Sequence, residues 1–300
     1  MANLNEIRNR ISSVKSTQKI TGAMYLISSA KMRKAKEALD RTKPFFEAQR
    51  TEIKRIFEHS PSFDSRFFTP IAGRQQADTY AYLVITADKG LAGAYNLNVI
   101  RAAETARAKH KDIRFYVIGE VGIRYFKNHK IPIECEFHSI AQTPSYRWAG
   151  QISSRLLEDY LAGRVDEIFM LYSDVQSELS CAVTENRLLP FEREEFLSGE
   201  SSGADRNYDF DPSPVAVLDG FMPQYVSGNV YGALVDSFCA EQNARMTAMS
   251  AANDNAEALL SELKIEFNRI RQGAITQEIT EVAAGARAQK RKKKKKRAVK

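Results

Sequence analysis

The C-terminal segment of this 300-residue chain repeats apolar or small residues at alternating steps of three and four. This spacing averages about 3.5 residues, which keeps one side of a helix against a partner helix in a coiled coil. No proline follows Pro223, and helix-forming residues dominate the segment. A seam of this length needs a second long helix to cover it. The series comprises Met246, Met249, Asn253, Ala256, Leu260, Leu263, Phe267, Ile270 and Ala274.

The N-terminal segment, residues 3–57, carries a matching series and is the natural partner. Its polar positions, such as Gln18 and Ser28, weaken a seam but fix its register. Pro44 interrupts the segment and is expected to bend the helix or to mark a local joint. We therefore expect an antiparallel coiled coil, about 80 Å long at 1.5 Å per residue. The series runs Leu4, Ile7, Ile11, Val14, Gln18, Thr21, Tyr25, Ser28, Met32, Ala35, Leu39, Thr42, Phe46, Gln49, Ile53, Ile56.

Charge is distributed unevenly behind the formal net value of +7. Residues 1–57 hold thirteen Lys/Arg and five Asp/Glu, and residues 287–300 hold ten Lys/Arg and no acid, so the middle of the chain is acidic. In the arm between Glu6 and Glu37, every charged residue is a lysine or arginine. This indicates an anionic partner: nucleic acid, a membrane surface or an acidic protein. These cations are Arg8, Arg10, Lys15, Lys19, Lys31, Arg33, Lys34 and Lys36.

Between the two segments the apolar pattern changes to that of an α/β body. Buried strands are predicted at 79–86, 113–118, 131–137, 167–173 and 179–190, and helices at 95–109, 120–128 and 145–161. Alternation of this kind predicts a parallel or mostly parallel, Rossmann-like sheet. The fold class is therefore α+β overall, with a long antiparallel coiled coil of the terminal helices beside an α/β body.

The domain prediction follows from these patterns. Residues 1–57 form the first helix, 58–212 the body with an acidic, Gly/Ser-rich link at 191–212, and 213–288 the C-terminal helices. Ser213-Pro214 can start a helix, and Pro223 is expected to end or kink it before the longer helix begins. The cationic segment 289–300 is expected to be disordered.

Signals for chemistry in the body are weak. The turn Asp88-Lys89-Gly90-Leu91-Ala92-Gly93 lacks the glycine spacing of dinucleotide-binding and P-loop motifs, so we expect a tight strand-to-helix turn and no bound cofactor. His129, Cys135 and His138 do not have the spacing of zinc ligands, so no metal is expected. The three cysteines are expected to be free thiols, and no segment is apolar enough for direct membrane insertion.

Three motifs resemble the gamma subunit family of F-type ATP synthases, and the likeness extends over essentially all of residues 1–288. The first is TQKITGAM at 17–24, continuing to Ser29-Ala30-Lys31-Met32. The second is DKGLAG at 88–93, where the family usually has Cys or a similar small residue in place of Ala92. The third joins ARMTAM at 244–249 to NRIRQGAITQEI at 268–279. Their order on a helix–body–helix chain supports membership.

The resemblance implies a non-catalytic rotor shaft. In the family this subunit turns inside a hexamer of alpha and beta subunits, beside a small epsilon-type subunit and above the membrane c-ring. Driven by proton or sodium flow, it couples ring rotation to conformational changes at catalytic sites on beta. The implied location is the cytoplasmic face of the bacterial inner membrane, as a peripheral protein. The implied hexamer contacts are Lys19, Met24, Lys31, Arg33, Arg245, Gln272 and Thr276, and the implied ring contacts are Tyr208 and Asp211.

Two other classes compete with this interpretation. A basic coiled-coil protein that binds nucleic acid or serves as a scaffold would use the cationic arm and tail, but no nucleic-acid docking motif accompanies them. An α/β enzyme with oligomerisation arms would need a fingerprint turn or a catalytic set in 79–190, and neither is found. The cationic extension after Gly285-Ala286 departs from the family pattern, and we expect it to be dispensable for rotation.

Overall fold

A computed structural model describes residues 4–59, 65–69, 77–175, 181–197 and 210–298, and side chains in these ranges except at 175 and 290–298. Its elements in chain order are α1 (Leu4–His59), β1 (Thr79–Ile85), α2 (Tyr95–Lys109), β2 (Asp112–Ile118), α3 (Glu120–Asn128), β3 (Cys135–Phe137), α4 (Tyr146–Leu161), β4 (Glu167–Val175), β5 (Cys181–Leu189), α5 (Arg193–Leu197) and α6 (Pro214–Ala298).

The chain divides into two compact units. One combines Met1–Tyr25 with Met249–Lys300 and is called the terminal unit below. The other, Leu26–Ala248, contains all the strands and is called the sheet unit. Each unit therefore contains part of the N-terminal helix and part of the C-terminal helix, which were predicted as separate segments.

The sheet unit is built on five strands in the order β3-β2-β1-β4-β5. β1 to β4 run parallel and β5 is antiparallel to β4, which confirms the mostly parallel sheet. One face of the sheet packs against residues of α1, α4 and α6, including Ile53, Leu156 and Val230. The other face packs against α2 and α3 through Val99 and Phe126. Burial on both faces explains the nearly continuous apolar runs of the central strands.

α6 continues through Pro223, so the helix does not end there, which was one of the two outcomes expected for this proline. Proline removes one helical hydrogen bond, whose acceptor would be the carbonyl of Asp219. Asp219 is exposed, so water can satisfy that carbonyl. The hydroxyl of Ser227 donates to the Pro223 carbonyl at 2.8 Å. On either side, Met222 and Val226 are fully buried, and this packing holds the helix together across the proline.

α1 and α6 lie in close contact at Gly228. A Cβ atom added at this position would lie 2.1 Å from Cε1 of Phe46 on α1. Further along, the thiol of Cys239 lies 4.0 Å from the Met32 carbonyl oxygen. Numbers fall along α1 as they rise along α6, so the two helices are antiparallel in the sheet unit, as predicted.

The terminal unit shows the same antiparallel pairing. Arg8 lies over the Phe267 ring at 5.9 Å from its centroid, and the Thr21 hydroxyl donates to the Asn253 side chain. The seam positions of α6 from Met249 to Ile270 are buried or half-buried, whereas Ala274 is exposed. On α1 every predicted seam position is at least half-buried except Tyr25, which is 38% exposed. The 3.5-residue repeat therefore predicts burial correctly except at Tyr25 and at its last position, Ala274.

The helical backbone of α6 reaches Ala298 and so extends into the segment for which the sequence predicts disorder. Ala, Lys, Arg and Gln all favour helix, and residues 289–300 contain no glycine or proline that would end one. None of the helices in the described ranges has a stretch long and apolar enough to cross a lipid bilayer.

Candidate functional site

The usual ligand site of a doubly wound sheet is filled by the protein itself. Such sites lie at the carboxyl ends of the strands where the strand order reverses, which here is between β1 and β4. The turn after β1 packs at this point against α6, through Ala87, Ala92 and Tyr95 on one side and Ala240 on the other. The space left beside Thr86 has no room for a water molecule. A nucleotide therefore has no crevice to enter at this place.

Polar contacts fix α6 to the same turn. The hydroxyls of Tyr95 and Ser237 are 2.6 Å apart, and Arg245 Nη2 donates to the Gly90 carbonyl at 3.1 Å. Arg245 Nη2 also pairs with Glu241 Oε1 at 2.5 Å. Burial raises the pKa of Glu241, and the guanidinium of Arg245 opposes that shift. We call this set, Tyr95, Ser237, Glu241, Arg245 and Gly90, the α6 clasp.

Arg245 is buried in the clasp, whereas the resemblance implies that it contacts the hexamer. Only 7% of Arg245 is exposed, and its charge is satisfied by Glu241 and Gly90 of the same chain. A hydrogen bond from Arg245 to a neighbouring subunit stays a prediction. The sequence signal that could have indicated the internal pair is the Glu-x-x-x-Arg spacing of 241 and 245, which places both side chains on one helix face.

The cations of the α1 arm are all exposed. Lys19 belongs to the terminal unit, and Lys31 and Arg33 belong to the sheet unit. Arg33 is paired only loosely with Glu37, at 4.0 Å, and such exposed pairs contribute little to stability. Met24 is half-buried. The seam is thus turned inward while the positive charge faces solvent, as an arm that binds an anionic partner requires.

The last part of α6 is exposed on every side from residue 271 to residue 289. Gln272 and Thr276 lie there, and the Thr276 hydroxyl donates to the Gln272 carbonyl at 2.9 Å. Sequence reasoning missed an apolar stripe on the same stretch: Ile275, Ile279 and Val282 are 47%, 64% and 72% exposed. Their i, i+4, i+7 spacing puts them on one helix face, which was the available signal. An apolar face of this kind indicates a surface covered by a partner.

Of the two predicted ring contacts, Asp211 is exposed in the sheet unit just before α6, and Tyr208 lies outside the described residues. The described residues contain no group of three or more side chains suited to hold a metal ion. His138 bonds to Glu120 and Glu136 at 2.8 and 3.2 Å, and this hydrogen bonding raises the pKa of its ring. The pairing ties β3 to α3.

Comparison with known proteins agrees with the motifs. A family model described as ATP synthase matches residues 3–289. The chain is 37% identical over 297 residues to the ATP synthase gamma chain of Acetivibrio thermocellus, covering 97% of this chain and 100% of that one. It is 34% identical over 301 residues to the sodium ion specific ATP synthase gamma chain of Acetobacterium woodii, covering 95% and 98%.

Solved structures share the fold at lower identity. A chain of the Euglena gracilis mitochondrial ATP synthase, in a structure of its OSCP/F1/c-ring, matches with a TM-score of 0.64 at 17% identity, over 95% of this chain and 94% of that one. A chain from the central stalk/c-ring structure of the Tetrahymena thermophila mitochondrial enzyme matches with a TM-score of 0.59 at 20% identity, over 78% and 99%.

Proposed function

The chain belongs to the ATP synthase gamma chain family, and on this premise we propose that it is the central-stalk rotor subunit of an F-type ATP synthase. In this role it couples the rotation of a membrane ring, driven by protons or sodium ions, to conformational changes at catalytic sites on neighbouring beta subunits. The observation that carries the proposal is the antiparallel pair α1 and α6, whose seam is internal and whose cations and terminal apolar stripe are exposed.

The chain itself performs no chemistry in this proposal. The place where a Rossmann-like sheet would bind a nucleotide is filled by the packing of the turn after β1 against α6, which the α6 clasp holds in place. The rotor acts by contact energy: at each angle its surface favours one conformation of each neighbour, which shifts the populations of their states. A contact that is exchanged at every step should combine polar groups with small apolar areas. Exposed lysines and the short stripe at Ile275, Ile279 and Val282 have that character.

The proposed partners are the alpha and beta subunits, an epsilon-type subunit and the c-ring. Lys19, Met24, Lys31, Arg33, Arg245, Gln272 and Thr276 are proposed to contact the hexamer. Asp211 and Tyr208 are proposed to face the ring. The proposed location is the cytoplasmic face of the bacterial inner membrane, held there by other subunits. The eight exposed cations of the α1 arm favour an acidic segment of beta as the partner.

Co-expression tests the proposal. The tagged chain should recover alpha and beta subunits in one complex, and inverted membrane vesicles that contain it should couple ATP hydrolysis to ion pumping. Vesicles from cells without the chain, complemented with an empty vector, serve as the control. Recovery of a compact monomer that binds neither subunit would contradict the proposal. A strongly salt-dependent gel shift with DNA or RNA would instead support the nucleic-acid-binding alternative, which the family membership does not favour.

A further inference from the structure

The last part of α6 continues as a helix beyond the seam that it forms with α1. On α6, Ala274 is the first seam position that is exposed, and every residue from 271 to 289 is exposed as well. The helical backbone nevertheless runs on to Ala298. A helix without a buried side gains nothing from packing, and isolated helices are only marginally stable in water. This stretch therefore calls for a partner.

Most of the charge of the stretch lies in residues 287–297, called the α6 tail below. Nine of these eleven residues are Lys or Arg, and none is acidic. The eight consecutive cations at 290–297 put like charges three and four residues apart, an arrangement that destabilises a helix. The helix dipole favours cations only in the last turn. The rest of the α6 tail therefore needs anions nearby to remain helical.

The cationic positions of the α6 tail surround the helix axis. Successive helical residues are about 100° apart, so the eight positions at 290–297 make about two turns and leave no side of the helix without a cationic position. The α1 arm differs, because its seam is turned inward and its cations lie on the remaining sides. The partner that matches the α6 tail presents anions all around the helix.

A lipid surface and nucleic acid match this segment less well than protein carboxylates do. A helix that lies in a lipid interface buries an apolar face, and between Val282 and Ala298 no apolar side chain is larger than alanine. No nucleic-acid docking motif accompanies the cations. Thr276, a proposed hexamer contact, lies 11 residues before Arg287, about 17 Å along the helix. The hexamer is thus the nearest proposed source of carboxylates.

We propose that the α6 tail binds inside an acidic socket on the hexamer, formed by Asp and Glu side chains that surround the helix. The inference rests on the proposed function and adds a contact that extends beyond residues 3–289, the part of the chain that the family model matches. Because cationic positions occupy every side, the energy of this contact changes little as the helix turns. The socket therefore strengthens binding of the chain to the hexamer without opposing rotation.

The test reassembles the complex from its separated subunits with a limiting amount of alpha and beta. Wild-type chain competes with an equal amount of a variant in which lysines 293–296 are Gln, which removes charge and keeps helix propensity. Mass spectrometry of the isolated complex measures the ratio. At about 0.1 M salt we expect wild type to be favoured about tenfold, the combined effect of several exposed charge pairs. At about 1 M salt, where the screening length is about 3 Å, the preference should disappear.

Two matched variants separate the socket from net charge and from side-chain identity. Arg101, Arg107, Lys109 and Lys111 are exposed on α2 or just after it. Changing all four to Gln removes the same charge from the sheet unit and should leave the competition with wild type even. Changing lysines 293–296 to Arg keeps the charge of the α6 tail and should also leave the competition even.

Cross-linking identifies the partner. With Cys135, Cys181 and Cys239 changed to Ser, Ala288→Cys labelled with benzophenone maleimide should cross-link to alpha or beta, at peptides rich in Asp and Glu. The same label at Thr105→Cys, an exposed position on α2, should not cross-link to such peptides.

Several results would overturn this inference and leave the proposed function standing. One is even competition between the Gln variant of the α6 tail and wild type at about 0.1 M salt. Another is a disadvantage of that variant that is the same at both salt concentrations. A third is cross-linking from position 288 only to lipid, to nucleic acid or to the epsilon-type subunit. If the wild-type chain does not assemble with alpha and beta, both the inference and the proposed function fail.

Discussion

The two units of the molecule use the same two helices in different ways. In the sheet unit, α6 is buried on most sides: from Val226 to Arg245 nearly every residue is buried or half-buried. In the terminal unit, α6 buries only one residue in three or four, and from residue 271 to residue 289 it buries none. One helix therefore serves first as part of a core and then as an exposed surface. The difference predicts that stability resides in the sheet unit and that partner contacts dominate the terminal unit.

The largest effect is expected at the α6 clasp. Arg245→Met leaves the buried Glu241 carboxylate without its cation, and breaking a buried pair in this way typically costs about 3–5 kcal/mol. Urea unfolding of the full-length chain at pH 8 should show the loss. Because burial already raises the pKa of Glu241, the variant should recover stability as the pH falls and Glu241 becomes protonated.

The double variant Glu241→Gln, Arg245→Met is the control for that measurement. It removes the charge that was left alone, so it should be more stable at pH 8 than Arg245→Met and should lose the pH dependence. If the single variant unfolds at the same urea concentration at pH 5 and pH 8, the buried pair is not what holds the helix.

A matched pair of isoleucines compares the units directly. Ile152 of α4 is fully buried in the core of the sheet unit, and Ile265 of α6 is 68% exposed in the terminal unit. Ile152→Ala should lower the free energy of unfolding by about 3 kcal/mol through lost burial and a cavity. Ile265→Ala should change it by less than about 0.5 kcal/mol. If urea unfolding shows similar losses of unfolding free energy for the two variants, stability does not reside mainly in the sheet unit.

Asp236 offers a smaller effect of opposite sign within the sheet unit. Burial and then the nearby Asp174 raise its pKa to about 6, while Lys36 opposes the shift. A carboxyl with a raised folded-state pKa destabilises the fold once the pH rises above that pKa. Asp236→Asn should therefore stabilise the chain by about 1–2 kcal/mol at pH 8, a value discounted for partial exposure.

The gain from Asp236→Asn should decline as the pH falls below about 6, where Asp236 becomes protonated in the folded state, and should vanish below the ordinary aspartate pKa of about 3.9. Urea unfolding at pH 4, 6 and 8 measures the trend. A variant less stable than wild type at pH 8 would show that Asp236 makes a stabilising contact as an anion.

The smallest effect is expected at the polar seam position Thr21. Its hydroxyl donates to the Asn253 side chain, and the carbonyl oxygens of Thr17 and Gln18 on its own helix lie within reach as alternative acceptors, at 3.2 and 3.1 Å. Thr21→Val keeps the shape and loses the bond to Asn253, which should cost about 1 kcal/mol. Thr17→Val, at an exposed position on the same helix, is the control. Hydrogen exchange of the terminal-unit amides provides the measurement, and a rate unchanged by Thr21→Val would contradict a role in the seam.

The sequence predicts most of the fold because its patterns are local. α2 and α3 begin and end where expected, at Tyr95–Lys109 and Glu120–Asn128, and the heptad series marks the buried side of both long helices. β3 is shorter than predicted, Cys135–Phe137, because it pairs with only three residues of β2. The continuation of α6 through Pro223 could not be predicted from the sequence, because it depends on packing between segments distant in sequence.

The candidate site is less predictable from sequence. The exposure of Lys19, Gln272 and Thr276 follows from helical periodicity, but the burial of Arg245 depends on where the turn after β1 meets α6. Nothing in the sequence of the motif at 88–93 sets Leu91 apart. Its φ of 62° and its exposure are seen only in the structure. Contacts between distant segments decide both cases.

The filled crevice at the β1–β4 switch has a mechanical consequence. Ser237 and Arg245 extend from α6 to two separate points, the Tyr95 hydroxyl and the Gly90 carbonyl, and Asn243 Nδ2 lies 3.6 Å from the Cys181 sulfur on β5. A helix that rested on a sheet through apolar contacts alone would be able to roll about its own axis. These three attachments hold α6 at separate places and therefore resist such rolling. In other sheets of this type the same place is left open for a ligand. Here it is filled by contacts with α6, and these contacts make the helix resist torsion.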